Sequence, residues 1–177
     1  MRVNRDLWIS AALDTLSTEG HTALSAERLS RKLGVTRGSF YHHFASMDEF
    51  HEAVLLHWQI VYTDQMLDQG IQQDALTELN RLIALTLDLS MELENNINAW
   101  AGANARVAEL VAKVEQRRLN RLIDLYQRIC NDNEKGKRLA KIAYYGLLGA
   151  AHATPRLSKE ELRLLLMEVH ELMLSII

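Results

Sequence analysis

Apolar positions recur every three or four residues along nearly the whole chain, the spacing of helices that each bury one face, and no strand pattern stands out. The first such run predicts a helix from Arg5 to Glu19, with Leu7 or Trp8, Ala11, Ala12, Thr15 and Leu16 inward. Gly20 sits where a left-handed cap would end it. Ser25 reads as the N-cap of a short helix, Ala26 to Leu33, with Ala26, Leu29 and Leu33 inward. Gly34 breaks it, and Thr36 caps a further short helix over Arg37 to His43 that turns Val35, Phe40 and Phe44 to the core.

Ser46-Met47-Asp48-Glu49 fits a capping box and predicts a long helix reaching about Asp68. Gly70 and Gln72-Gln73-Asp74 predict a break, followed by a helix from about Ala75 to Leu93. Glu94-Asn95-Asn96 is expected to interrupt it, leaving a short piece with Ile97 and Trp100 that Gly102 loosens. A very long helix is predicted over Arg106 to Cys130, then a polar loop over Asn131 to Lys137. Two closing helices, Arg138 to Ala153 and Lys159 to Ile177, flank Pro155 and a second capping box at Ser158 to Glu161.

Composition agrees with an all-α fold. Among 177 residues there is one proline and eight glycines, too few for the many turns of a sheet protein. The apolar fraction of 48% supports a real core. Cys130 is the only cysteine, which excludes an intrachain disulfide or a cysteine-built zinc site and suits a reducing, cytoplasmic setting. No stretch approaches 18 uninterrupted apolar residues, and the start of the chain shows no secretory pattern, so neither a membrane span nor a leader is expected.

The closing helices carry more apolar surface than one face needs. The segment Ile142 to Ala151 has no charge on any side, and the final helix shows Leu162, Leu165, Leu166, Val169, Leu172, Met173 and Ile176 on one broad face. The surplus predicts a homodimer, with Tyr145, Gly146, Gly149, Leu162, Leu165, Leu166, Val169 and Met173 at its interface. The small residues would let two helices approach closely.

Residues 5 to 55 hold a more specific pattern. Ala11-Ala12-Leu13, Glu19-Gly20, Leu24-Ser25 and Leu29-Ser30 precede the run Leu33-Gly34-Val35-Thr36-Arg37-Gly38-Ser39-Phe40-Tyr41-His42-His43-Phe44, with Asp48-Glu49-Phe50 after it. This segment resembles the DNA-binding head of the tetracycline-repressor (TetR) family. A weaker resemblance continues in the body, through Asn98-Ala99-Trp100-Ala101, Arg106-Val107, Val114 to Leu119 and Tyr144 to Gly149. The resemblance implies a three-helix helix-turn-helix head, residues 1–47, on a helical effector-binding and dimerisation body, residues 48–177.

The chemistry of the head suits that role. The second helix of a helix-turn-helix enters the major groove and meets base edges with its N-terminal residues, here Thr36, Arg37, Gly38 and Ser39. Arg37 can grip a guanine or a phosphate, and Gly38 lets the backbone come close. Ser25, Tyr41 and His42 are candidates for phosphate contact, the tyrosine by analogy with family members. Met47 departs from the family pattern, which has lysine there, and only Arg2 and Arg5 stand in the short N-terminal arm. Affinity is therefore expected to be modest or salt-sensitive.

Net charge is −3, but it divides unevenly: residues 1–47 hold six Lys/Arg against four acids, and residues 48–177 hold 14 against 19. Phosphate contact depends on the local surface, so an acidic body does not argue against a DNA-binding head. His42, His43, His51 and His57 lack the i, i+4 pairing of a helical metal site, and no metal or cofactor is expected. Cys130 has no second thiol to act with as a redox sensor. The run Arg117, Arg118, Arg121 and Arg128 reads as a solvated helix face pairing with Glu115 and Asp124.

If the family reading holds, the body contains an effector pocket. Its candidate lining is Trp58, Tyr62, Met66, Leu87, Met91, Trp100, Tyr126 and Tyr144. The expected function is a ligand-responsive repressor, homodimeric on a palindromic operator. The competing reading is a non-catalytic architectural or protein-recruiting module with weak sequence reading. No paired carboxylate–histidine arrangement, nucleophile motif or phosphate loop points to an enzyme.

Overall fold

A computed structural model describes residues 3–68 and 74–177. The break expected at Gly70, Gln72 and Gln73 lies outside the described residues, as does Arg2. Among the described residues the secondary structure is helical throughout. The helices are α1 (Arg5–Glu19), α2 (Ala26–Leu33), α3 (Arg37–Tyr41), α4 (from Met47), α5 (Ala75–Asp88), α6 (Met91–Ala103), α7 (Ala105–Cys130), α8 (Asn133–Ala151) and α9 (Lys159–Ser175). None is long and apolar enough to cross a membrane.

Side-chain caps set most of these boundaries. Asn4, Ser25, Ser46, Asp74, Ser90, Asp132 and Ser158 each accept from a backbone N–H in the first turn that no residue of the helix can satisfy. The box at Ser158 is complete, since Glu161 returns to the Ser158 backbone N–H at 2.8 Å. The box at Ser46 is half-formed. Its hydroxyl meets the Glu49 N–H at 3.1 Å, but the Glu49 carboxylate takes the Ala45 N–H at 2.7 Å and Arg5 instead.

Four boundaries differ from the sequence reading. The helix expected over Ala75 to Leu93 ends at Asp88, because Leu89 is extended and Ser90 caps a new helix that passes through Glu94-Asn95-Asn96 and Gly102. The loop expected over Asn131 to Lys137 is mostly the first turns of α8, with Asp132 as its cap. Helix α3 stops at Tyr41, short of His43. Helix α4 runs as Met47–Gln59, widens to a π turn over Ile60–Asp64 and resumes over Gln65–Asp68.

Two local expectations also change. Gly20 has φ 79° but ψ 177°, so its positive φ does call for glycine, yet it is not a left-handed helical cap. Gly34 is the residue that adopts the left-handed form, φ 67° and ψ 31°. In α1 the buried residue is Trp8 and not Leu7; in α2 Leu33 is half-buried, while Ser30 is buried and donates to the Ala26 carbonyl at 2.5 Å.

The chain divides into two compact units, Met1–Thr63 with Ser90–Ala112, and Asp64–Leu89 with Lys113–Ile177. The first is built on an aromatic cluster. Phe40 meets Trp8, Phe44 and Phe50 at centroid distances of 5.4, 5.3 and 5.1 Å, and all four rings are buried. Helix α6 belongs to this unit and docks on α1, where Asn96 Nδ2 donates to the Ser17 carbonyl at 3.0 Å. Buried Trp58 donates through Nε1 to Glu94 at 2.8 Å, and Trp100 lies between the rings of His21 and His51.

The second unit gathers Leu79, Leu82, Leu125, Tyr126, Leu139, Ala140 and Met173 into its core. Glu78 is completely buried there; Arg81 grips it at 2.9 and 3.0 Å, and Arg121 lies 3.6 Å away. A buried carboxylate needs such partners to offset lost hydration. The arginine run of α7 is paired as a structural surface should be: Arg117 with Asp64 and Asp68, and Arg121 and Arg128 with Asp124. Gly136 lets α8 start hard against α7, for a Cβ there would stand 2.5 Å from Gln127 Cα.

Candidate functional site

The exposed face of α2 and α3 carries the residues singled out for DNA. Ser25 is exposed and its Oγ accepts from the Arg28 N–H at 3.2 Å, which holds it at the open end of α2. Thr36 stands in the N-cap position of α3 but makes no side-chain capping bond. Gly38 is exposed, and the space over it is open apart from Thr36 Oγ1, 3.7 Å from where a Cβ would be. Ser39 is half-exposed on the same short helix, while Phe40 beside it is buried and fixes which face looks out.

Arg37 and Tyr41, one turn apart, form a pair on that face. Nη2 of Arg37 donates to the Tyr41 hydroxyl at 3.3 Å, and the guanidinium carbon lies 5.8 Å from the ring centroid. The hydrogen bond to Tyr41 raises the arginine further above its ordinary value, so it remains cationic at any working pH. His42 is exposed next to them.

The other described head cations are tied to carboxylates. Arg5 pairs with Glu49 at 3.0 Å, Arg28 with Glu19, Arg31 with Glu27 at 3.0 Å and Lys32 with Asp14 at 2.5 Å. Arg5 also donates to the His43 carbonyl at 2.7 Å and lies over the Phe44 ring at 4.4 Å. His43 in turn meets the Val3 carbonyl through Nε2 at 3.1 Å. Arg5 and His43 thus fasten the N-terminal segment, and the Ala45 N–H with Arg5 holds the Glu49 carboxyl below its usual range. Among the described head cations Arg37 is the one without a carboxylate partner.

The residues proposed for an effector pocket fall into two groups. Trp58, Tyr62, Met91 and Trp100 belong to the first unit, where Trp58 and Trp100 are buried core. Met66, Leu87, Tyr126 and Tyr144 belong to the second. Of these, Tyr126 and Tyr144 line a cavity of about 80 Å³ bounded by α5, α7, α8 and α9. Leu82, Ile83, Leu122, Ala143, Leu166 and Val169 make its apolar walls, with Thr86 and His170 the remaining polar residues. Burial pushes the Tyr126 phenol up to about 12 and lowers His170, so both are uncharged near neutrality.

His170 and Thr86 were not among the sequence candidates. The available signal was a single histidine within the apolar stripe Leu162, Leu166, Val169 and Met173 of the last helix. Of the residues proposed for a dimer interface, Leu162 and Met173 are buried within their own unit, and Leu166 and Val169 face the cavity. Tyr145, Gly146, Gly149 and Leu165 are exposed, and nothing lies within 4 Å of a Cβ placed at either glycine.

Residues 9–54 match the family model described as bacterial regulatory proteins, tetR family. By that match the segment is similar to the DNA-binding head of TetR-family transcriptional regulators. The matched residues span most of α1, all of α2 and α3 and the start of α4, which is the helix-turn-helix of such a head. No curated protein matches the chain by sequence.

Solved structures share the fold over the whole length. A TetR-family transcriptional regulator from Streptomyces coelicolor is 16% identical, with a TM-score of 0.78 over 97% of this chain and 94% of that one. A transcriptional regulator from Rhodococcus sp. is 18% identical, with a TM-score of 0.71 over 98% and 97%. A protein of Saccharomonospora viridis assigned as a transcriptional regulator, solved in complex with choline, is 16% identical, with a TM-score of 0.75 over 94% and 95%.

Proposed function

We propose that this chain is a homodimeric, ligand-responsive repressor of the TetR family that binds a palindromic operator in the cytoplasm. Residues 1–47 read DNA, and residues 48–177 bind the effector and the second subunit. The observation that carries the DNA reading is the Arg37–Tyr41 pair, exposed on the face of α3 that the buried Phe40 turns outward. Thr36, Gly38 and Ser39 accompany it towards bases, and Ser25, Tyr41 and His42 towards phosphates.

Support for the dimer comes from the apolar residues that α8 and α9 leave exposed. Ile142 is 59% exposed, Tyr145 55%, Leu164 55% and Leu172 65%. So much apolar surface on two neighbouring helices suits burial against a second copy. A two-fold dimer presents two heads, which is why the operator should be a palindrome with half-sites spaced by whole helical turns.

Ligand response is supported by the apolar cavity of the second unit, and the choline complex of the Saccharomonospora viridis protein shows a small molecule held by the same fold. A ligand acts by population shift: it favours the head spacing with which its own site is most compatible. Helix α4 is the lever, since it leads directly from the head into the body. The test is to select bound genomic fragments, then titrate the protein–DNA complex with candidate effectors. The proposal expects one enriched palindrome and its release by ligand. Enrichment without symmetry would exclude the two-fold dimer, and a cavity ligand without effect on DNA would exclude induction.

A further inference from the structure

We infer that the cavity of the second unit takes an uncharged, mainly apolar molecule of single-ring size that delivers one hydrogen-bond donor, a hydroxyl or an N–H, to Nδ1 of His170. This deepens the reading of that cavity as the effector site and rests on it for any consequence on DNA.

The walls exclude charge. No Lys, Arg, Asp or Glu lines the cavity, so an ammonium or a carboxylate would lose its hydration with no opposite charge to meet it. The volume of about 80 Å³ holds several water-sized spheres, which is room for a ring or a short chain and not for a drug-sized molecule.

The polar groups define what the occupant must offer. The Thr86 hydroxyl donates to the Leu82 carbonyl at 2.8 Å, and the Tyr126 hydroxyl points its proton at Met173 Sδ, 3.5 Å away. His170 differs. Its Nε2 is 2.7 Å from Asn80 Oδ1, and an amide oxygen only accepts, so Nε2 carries the proton. Burial keeps the ring neutral, against the pull of Glu171, so Nδ1 is left as a lone-pair acceptor. That atom is buried and meets no partner among the described residues. A buried acceptor without a partner is costly, and a ligand donor removes the cost. A site built on such a bond rejects the analogue that lacks the donor far more strongly than a purely apolar pocket would.

The test titrates the full-length protein calorimetrically with phenol and toluene, with cyclohexanol and methylcyclohexane, and with benzoate and benzyltrimethylammonium. The inference expects each hydroxyl probe to bind at least ~10-fold tighter than its methyl partner, and the two ions not to bind. Phenol should also shift the ¹⁵N resonance of His170 Nδ1 in the unaltered protein. In His170→Leu the ratio should fall to about one while toluene binding persists. Should that variant not fold, the ¹⁵N shift decides. The inference is overturned if neither hydroxyl probe binds, if the methyl partners bind as well, or if Nδ1 does not respond. A probe that binds and engages Nδ1 without changing operator affinity overturns the effector reading and leaves the cavity chemistry standing.

Discussion

The guanidinium of Arg37 lies over the ring of Tyr41 with Nη2 3.3 Å from the phenol oxygen, so the two residues most suited to meet DNA hold each other in place. A guanidinium already stacked and hydrogen-bonded loses less freedom when it grips a base. Arg37→Ala should weaken binding to the selected operator by ~5- to 150-fold and to a scrambled duplex by less. Tyr41→Phe keeps the ring and should weaken both duplexes alike, as loss of a phosphate contact does. Fluorescence anisotropy on the two duplexes measures this. Equal losses for Arg37→Ala would assign the arginine to a phosphate.

Gly136 is buried where α8 crosses α7, with no room for a methyl against the Gln127 backbone. Gly136→Ala should destabilise the protein by ~1–3 kcal/mol, because backbone cannot yield as a side-chain tip can. Urea unfolding should show it as a lower midpoint at unchanged slope. An unchanged midpoint would mean that the two helices separate easily.

These two sites mark what the sequence could and could not reveal. The exposed placement of Arg37 was legible because the turn Gly34-Val35-Thr36 and the aromatic spacing of Phe40 and Phe44 fix the helix around it. The helix starts at Ser25, Ser46 and Ser158 were legible for the same kind of reason, as local hydroxyl caps. Gly136 was not, since glycine among Lys and Glu looks like a loop until Asp132 is seen to cap the turn and Gln127 to press on it. Ser90 was hidden between helical-looking neighbours. Glu94 and His170 drew no attention in the sequence as hydrogen-bonding groups because their partners are tertiary; Trp58 and Glu94 are 36 residues apart, and His170 and Asn80 are 90. The π turn at Ile60–Asp64 carries no glycine or proline to announce it.

The exposed glycines of α8 provide a clean test of the dimer. Position 149 is exposed and a Cβ there meets none of the described residues within 4 Å, so Gly149→Glu should leave monomer folding largely intact. At a packed interface it would bury an unpaired charge. Sedimentation equilibrium should find the unaltered chain dimeric at micromolar concentration and Gly149→Glu monomeric or aggregated. A variant that dimerises normally would place the interface elsewhere.

Acid should destabilise the fold in two windows. Burial lowers His51 below the ordinary 6.5, despite Asp48 and the Leu24 carbonyl, which favour the cation; His21 opposes it. The unfolded chain therefore binds the proton first. The contribution of neutral His51 is complete above about pH 6.5 and is lost as pH falls towards the lower folded value. The carboxyls of Glu49, Asp132 and Glu161, held low chiefly by the backbone N–H groups they accept from, lose theirs as pH falls from the ordinary carboxylate range towards their lower folded values. Urea midpoints from pH 7 to 3 should fall in both windows. His170, lowered by burial as well, shares the upper window, so His51→Gln should shrink that window without removing it and leave the lower one as it was; an upper window unchanged in that variant would assign it to other groups.

On the proposed function, the Arg37 face of a two-fold dimer reads DNA. Selection of genomic fragments by the purified protein, followed by footprinting of the enriched site, tests it most directly. The prediction is a single palindromic sequence, protected over two half-sites a whole number of helical turns apart and lost from the selection when Arg37→Ala replaces the unaltered protein. Enrichment of no sequence, or of the same sequence by both proteins, would contradict it.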